Sequence, residues 1–464
     1  MKTASASKES YFVKDPQFFK SLFRIMIVVA FQNLINYGVN MADNLMLGSY
    51  GQAQLSGAAC VNQIFFMVNA FCWNFGIAFS VLAAQYWGKK DIRSINKLGG
   101  IELTIEFSFS MIFTIIAACM PARLLSIFTS SAEVSVQGVA YLNIIKFTFI
   151  PYAISFMLMT LLRNVETVNI AFIISCISLV INVCLNYLLI FGNWGFPEMG
   201  IAGAAIATLI ARIVELLVLL FYIWKIDKKL HFFQSDFLKF DKTLVKSYFK
   251  VAIVVAPAGI AWAIATPIQG ALLGKLSTDS IAANSVTSTY YQLLKVFAQA
   301  MSTAAGVIIG KTIGEKNYTK TRQGARTIEV LGLGIGVILG GLLFILRKPI
   351  ISMYDLTPEA TRLTNNMLII MCFIILSMAY EHPVLFGTIR AGGDTRFPAL
   401  TNIIVMWGIS IPLAFMAVYW WRLGPEWIVI FIQSEQFIKC IPAFIRVRQY
   451  NKWIRNLTEP DTVA

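Results

Sequence analysis

Apolar residues run through this chain in long blocks, not in alternation, and short polar turns separate the blocks. About 20 apolar residues in a helix span a bilayer's hydrocarbon core. The pattern therefore predicts an all-α membrane protein of twelve transmembrane helices. They cover about Ser21–Leu47, Ala53–Tyr86, Ile95–Met120, Val134–Leu162, Val168–Phe191 and Met199–Trp224, then Val251–Leu273, Ile281–Ile313, Thr327–Leu346, Glu359–Ile389, Phe397–Trp421 and Glu426–Val447. No stretch is left for a large soluble domain.

Polar positions inside these blocks are few, and those of the first block form a pattern. Asn33, Asn36, Asn40 and Asp43 follow at steps of three, four and three, so a helix projects all four from one face. An ionised Asp at the centre of a membrane helix costs about 2.5 to 3.5 kcal/mol, so Asp43 is expected to face protein or a watery cavity. The competing reading is a hydrated carboxylate at the helix end. Three asparagines stacked on the same face favour an ion or substrate site.

Composition agrees: 57% of residues are hydrophobic and 13% charged, against about 25% charged in soluble domains. The net charge of +14 would suit nucleic acid only if Lys and Arg clustered on a folded, exposed domain, and here they lie in short loops. About 27 fall in the termini and even-numbered loops and about five in the odd-numbered loops, which places both termini in the cytoplasm. The seven cysteines, Cys60, Cys72, Cys119, Cys176, Cys184, Cys372 and Cys440, lie within apolar segments without metal or disulfide spacing. The first apolar segment is too long for a cleaved signal and is expected to stay as an anchor.

The two halves repeat each other. A shift of 226 residues superposes Gly48 on Gly274, Gly88 on Gly314 and Lys90 on Lys316, and a shift of 227 places Arg163 on Arg390 and Arg212 on Lys439. Six crossings per half make this a parallel repeat, one of the architectures of secondary transporters. The expected organisation is a cytoplasmic tail over 1–20, a six-helix lobe over 21–224, a basic connection over 225–250, a second lobe over 251–447 and a cytoplasmic tail over 448–464. The connection carries seven lysines with Phe232, Phe233, Phe237, Phe240 and Phe249, an amphipathic composition expected to lie along the membrane surface as a hinge.

Five stretches carry a family likeness: Ala42-Asp43-Asn-Leu-Met-Leu-Gly48, the loops Gly88-Lys-Lys-Asp and Gly314-Glu-Lys-Asn, Arg390-Ala-Gly-Gly-Asp-Thr-Arg-Phe-Pro398, and Asn182-Val-Cys-Leu-Asn186. With their order and spacing, the chain resembles the multidrug and toxic compound extrusion (MATE) transporters over essentially its whole length, in particular the bacterial DNA-damage-inducible protein F group. The resemblance implies two six-helix lobes alternating between inward and outward openings and exporting organic cations against Na+ or H+. It also implies that Asp43 carries the coupling ion, helped by Asn182 and Thr208, the latter a looser match. Where part of the family has a second acid in helix 5, this chain has Asn186, which leaves one negative charge at the site. A Na+ cage of oxygens around Asp43 and a protonatable Asp43 both remain open.

Further polar residues lie in the blocks. Glu381 and His382 sit in the tenth helix and Lys295 in the eighth, so Glu381 is either a second cation site or the partner of Lys295. Glu102 with Glu106, and Arg212 with Glu215, stand at helical spacing and are read as structural pairs. Asn36, Tyr37, Asn40, Asn62, Asn69, Gln269, Tyr290 and Tyr291, with Lys295 and Glu381, are candidates for a cleft offering aromatic faces to a cation. Pro151, Pro257, Pro267, Pro383 and Pro412 fall within helices, where freed carbonyls and bends serve lobe motion.

The sequence thus reads as an antiporter of organic cations in the bacterial cytoplasmic membrane, multi-pass in the lipid bilayer. It is expected to need no cofactor beyond the coupling ion, no nucleic acid and no obligate protein partner. The rival is a lipid-linked or polysaccharide flippase, which would favour arginines in the cleft. An enzyme has little support, because no phosphate-binding Gly-rich motif, nucleophile elbow or metal spacing is found.

Overall fold

The computed structural model describes residues 10–273 and 277–459. Gly274, one of the repeat positions, and the outer parts of both tails lie outside the described residues. Among them twelve helices are long and apolar enough to cross a membrane. They are α1 (Pro16–Tyr50), α2 (Gln52–Gly88), α3 (Ile92–Cys119), α4 (Ala132–Asn164), α5 (Asn169–Phe191), α6 (Gly200–Ile226), α7 (Lys242–Leu273), α8 (Thr278–Gly314), α9 (Tyr318–Ile351), α10 (Pro358–Ile389), α11 (Arg396–Tyr419) and α12 (Pro425–Arg448).

The repeat is visible in the backbone. Three pairs of residues adopt positive φ: Lys90 and Lys316, Glu166 and Gly393, Trp194 and Arg422. Their offsets are 226, 227 and 228 residues. Each pair marks the same inter-helix turn in the two halves, where left-handed backbone reverses the chain. The turns before α3 and α9 match further, since Asp91 accepts from Ser94 N and Asn317 from Lys320 N as helix caps.

By their contacts the residues group into two compact units, 31–83 with 91–252, and 1–30, 84–90 with 253–464. In the first, α3 packs on α4, α4 on α6 and α5 on α6; in the second, α9 packs on α10, α10 on α12 and α11 on α12. A separate hydrophobic core fills each, one around Val61, Ile64, Val68, Leu142 and Phe149, the other around Leu343, Met367, Leu368, Ile374 and Ile375. In the second unit Gly332, Gly336 and Gly340 form a groove along α9. A Cβ on Gly332 would lie 2.6 Å from Ala379 O and one on Gly340 2.8 Å from Cys372 O, so backbone meets backbone there, as small-residue membrane interfaces allow.

Several helix starts lie earlier than the sequence reading places them, among them α9 at Tyr318 instead of Thr327. α1 starts at Pro16, earlier than Ser21, and α7 starts at Lys242, inside the stretch read as a connection. Both helix starts mix charged residues with buried apolar ones at helical spacing, Phe18, Leu22 and Ile25 in α1 and Leu244, Tyr248 and Val251 in α7, and each follows a capping aspartate: Asp15 accepts from Gln17 N, Asp241 from Thr243 N. The first residues of α1 and the last of α2 belong by contact to the second unit, and the start of α7 to the first. The units therefore cut across the 21–224 and 251–447 division.

The connection also departs from a hinge lying on the surface. Phe232 is fully buried, its ring 3.0 Å from the position of a Cβ on Gly99. Asn96 donates to Leu230 O at 2.7 Å, so this segment is strapped onto α3. The C-terminal segment does the same for the second unit. Trp453 is fully buried against Gly392, while Gln85 donates to Ala391 O and Arg455 O and accepts from Leu457 N.

Of the helix prolines, Pro383 lies at the start of a widened π turn over His382–Ile389, and Pro412 comes two residues after the end of another over Met406–Ser410. A proline lacks the N–H that would close the preceding turn, which frees carbonyls at these points.

Candidate functional site

The site is assembled from α1, α5 and α6 within the first unit. Asn182 and Asn186 stand one turn apart on α5, so both side chains leave from one face. α6 opens with Gly200-Ile-Ala-Gly-Ala-Ala, and a Cβ on Gly203 would lie 2.4 Å from Leu189 O. That absence of side chain brings α6 close to α5 and carries Thr208 to the same level.

A continuous chain of hydrogen bonds results. Asn186 Nδ2 donates to Asp43 Oδ1 and lies 3.2 Å from Asn182 Oδ1, and Asn182 Nδ2 donates to Thr208 Oγ1 at 3.2 Å. Asn182 and Asn186 are buried and Asp43 is half-buried. Asn186 Oδ1 is buried without a donor among the described residues, an oxygen ready to meet a cation or a water. The four residues the sequence assigned to a coupling ion thus lie together. Beside them is a cavity of about 20 Å3 lined by Asn36, Val39, Ser178, Asn182, Thr208 and Arg212, room for about one water.

Arg212 is the functional-site neighbour that sequence reasoning had set aside as structural. Its guanidinium pairs with Glu215 Oε2 at 2.9 Å and sits 5.4 Å from the Tyr152 ring, while Tyr152 Oη accepts from Asn69 Nδ2. Spacing on α6 shows the Arg212 and Glu215 pair. That the same side chain borders the Asp43 site depends on how α6 packs against α1 and α5. Tyr141 of α4, buried and close to Thr208, was missed altogether, because an isolated tyrosine in an apolar block carries no signal.

The cleft candidates separate. Asn36, Tyr37, Asn40 and Asn62 are exposed on α1 and α2, while Asn69 is half-buried and occupied by Tyr152. In the second unit Gln269 and Tyr290 are half-buried. Tyr291 is a correction: it is buried in the core, its hydroxyl 3.3 Å from Met378 Sδ, because its position on α8 turns it toward α10. Glu381 is fully buried and bonds His382 Nδ1 at 2.5 Å. Lys295 lies over the Trp262 ring at 5.6 Å, and no ion pair joins Lys295 and Glu381 among the described residues. The neighbouring lysine that does pair is Lys439, with Glu435 Oε2 at 3.1 Å and Asn402 Oδ1 at 2.7 Å.

Comparisons with known proteins agree with this architecture. The chain is 23% identical over 418 residues to "Probable multidrug resistance protein YoeA" of Bacillus subtilis, covering 88% of this chain and 89% of that one. It is 26% identical over 406 residues to "Probable multidrug resistance protein NorM" of Halalkalibacterium halodurans, covering 86% and 88%. The Vibrio cholerae MATE transporter VcmN in its bent form superposes with a TM-score of 0.83 at 17% identity, over 95% of this chain and 99% of that one. The MatE family model matches residues 29–188 and 263–416, corresponding stretches of the two halves, and the first of them holds Asp43, Asn182 and Asn186 and ends before Thr208. Repeat, helix count and family match converge: this multi-pass membrane protein belongs to the MATE family of transporters.

Proposed function

We propose that the protein exports organic cations from the cytoplasm in exchange for an inward-moving Na+ or H+, as a multidrug efflux transporter of the bacterial cytoplasmic membrane with both termini inside. The observation that carries the reading is the bond from Asn186 to Asp43. An ionised Asp43 accepts it, whereas an Asp43 that has taken a proton or lies against Na+ competes for it and perturbs Asn182 and Thr208 behind it. Ion binding thereby changes the hydrogen bonding between α1 and α5, which is the differential interaction a two-state transporter needs. The orphaned Asn186 Oδ1 supports Na+ as much as a hydrated proton site, so the ion is left to experiment.

Alternation between two openings fits the repeated halves and the bent form reported for the Vibrio cholerae relative. An anionic headgroup as substrate fits less well. Arg212, the arginine at the cavity, is matched by Glu215, so the charge available to a substrate there is Asp43.

The test is efflux of a fluorescent organic cation from proteoliposomes under a Na+ gradient or a pH gradient imposed separately. The expected outcome is transport driven by one of the two gradients and abolished by Asp43→Asn with normal protein levels. Undiminished gradient-driven efflux by that variant would overturn the role of Asp43, and no gradient-driven efflux of any cation would overturn the antiport itself.

A further inference from the structure

Glu102 and Glu106 lie one turn apart on α3, and both are fully buried. Tyr248, itself fully buried near the start of α7, donates its hydroxyl to Glu102 Oε2 and lies 3.4 Å from Phe75 O. Glu102 Oε1 and both oxygens of Glu106 have no donor among the described residues. Yet the two carboxyl groups are within hydrogen-bonding reach of each other. Two carboxylates cannot bond unless one carries a hydrogen, so the donor missing from this geometry is a proton.

Among the described residues, the surroundings bring no free cation to the pair. α2 presents Cys72 to the pair, and Gly76, where a Cβ would lie 3.8 Å from Glu102 Oε1. From α4 comes Tyr152, and from α7 Tyr248. The nearby cation, Arg212, is committed to Glu215. Two adjacent carboxylates in a low-dielectric interior repel each other strongly, and each also loses its hydration. One shared proton removes most of both costs, as in carboxylate dyads generally. A metal cation needs a shell of several oxygens. Beyond the carboxyls, this pair has Tyr248, which is donating, and no group of three or more His, Cys, Asp or Glu able to hold a metal gathers among the described residues.

We propose that Glu102 and Glu106 hold one exchangeable proton between them, a protonation site on α3 distinct from the Asp43 site. The inference does not rest on Asp43 coupling to an ion, since neither glutamate touches that site.

The experiment is infrared pH titration of the full chain in lipid, in choline chloride and in sodium chloride, for Asp43→Asn alone and combined with Glu102→Gln or Glu106→Gln. The expected result is a protonated-carboxyl band in Asp43→Asn at neutral pH that shifts or disappears in both combined variants and is unaffected by sodium. Tyr248→Phe, which keeps both carboxyls, should shift that band. A spectrum unchanged in both Gln variants would show that the pair holds no proton, and a band present in choline but absent in sodium would make the ligand a metal cation. Either result overturns the proposal. Should a Gln variant fail to assemble, an unshifted band in Tyr248→Phe overturns it equally.

Discussion

α3 and α9 are repeat mates, and each buries a glutamate within one residue of the same distance from its capping Asp91 or Asn317. Glu329 on α9 accepts from Tyr380 at 2.9 Å and from Arg448 at 3.0 Å, so its charge is matched. Glu102 on α3 has a tyrosine of its own, Tyr248, but Glu106 where the other half has arginine. A similar contrast separates the positions of the proposed ion site. Asp43 corresponds at a shift of 226 to Gln269, while the basic positions Arg212 and Lys439 are both paired with acids on their own helices. The halves share a scaffold and much of its charge compensation; among the described residues the first holds Asp43 and the Glu102–Glu106 pair without a cation, and the second holds Glu381, which has His382 at one oxygen and no donor at the other.

The largest expected effect breaks compensation where it is most buried. Lys439→Met leaves Glu435 without its cation in a site that is nearly fully buried, and should cost about 3 to 5 kcal/mol. Thermal unfolding in detergent measures this, and adding Glu435→Gln should recover most of the loss. If the single variant were as stable as the wild type, the pairing would not be what makes these charges tolerable in α12.

Arg448→Met should cost less, about 1 to 3 kcal/mol, because its side chain is 44% exposed and Glu329 keeps Tyr380. Set beside it, Glu106→Gln should be neutral or stabilising, since it removes one of two adjacent acids. Equal destabilisation by the two substitutions would erase the distinction between α3 and α9.

Within the proposed ion site, Thr208→Val deletes the last acceptor of the hydrogen-bond chain and leaves Asn182 Nδ2 without its partner. A loss of about 1 kcal/mol is expected, together with weaker gradient-driven efflux, both smaller than the effects above. Full efflux in this variant would confine the working site to Asp43 and Asn186.

Much of this was legible in the residues. The three-four-three spacing of Asn33, Asn36, Asn40 and Asp43 puts a polar face on α1, and the Gly88 and Gly314 loops announce turns whose backbone does repeat. Pairing across helices was not legible, because sequence spacing reports neighbours on one helix only. The partner of Glu102 turned out to be Tyr248, 146 residues away, and the lysine in an ion pair Lys439 instead of Lys295. Tyr291 was read into a cleft for the same reason, since a lone aromatic in an apolar block does not say which face it occupies. The starts of α1 and α7, which mix charged residues with apolar ones, escaped a reading built on apolar runs, although Asp15 and Asp241 stood there as cap signals.

Those two aspartates sharpen the comparison at its smallest scale. They are 226 residues apart and each caps its helix, but Asp15 lies 2.7 Å from Lys320 whereas Asp241 lies 3.9 Å from Lys97. The Lys320 ammonium, with a backbone bond from Gln17, holds the Asp15 carboxyl below the usual carboxylate value. The backbone bond from Thr243 is foremost in holding Asp241 down. Both carboxyls therefore contribute stability that is present above the ordinary carboxylate range and lost as pH falls through their lowered values. Salt screens an exposed ion pair more than a short hydrogen bond to backbone. Raising ionic strength should accordingly move the Asp15 titration back toward its ordinary value and leave Asp241 nearly in place, as carboxyl NMR of the labelled protein would show. Equal salt sensitivity at the two positions would mean that the repeat conserves the electrostatics of the cap as well as its geometry.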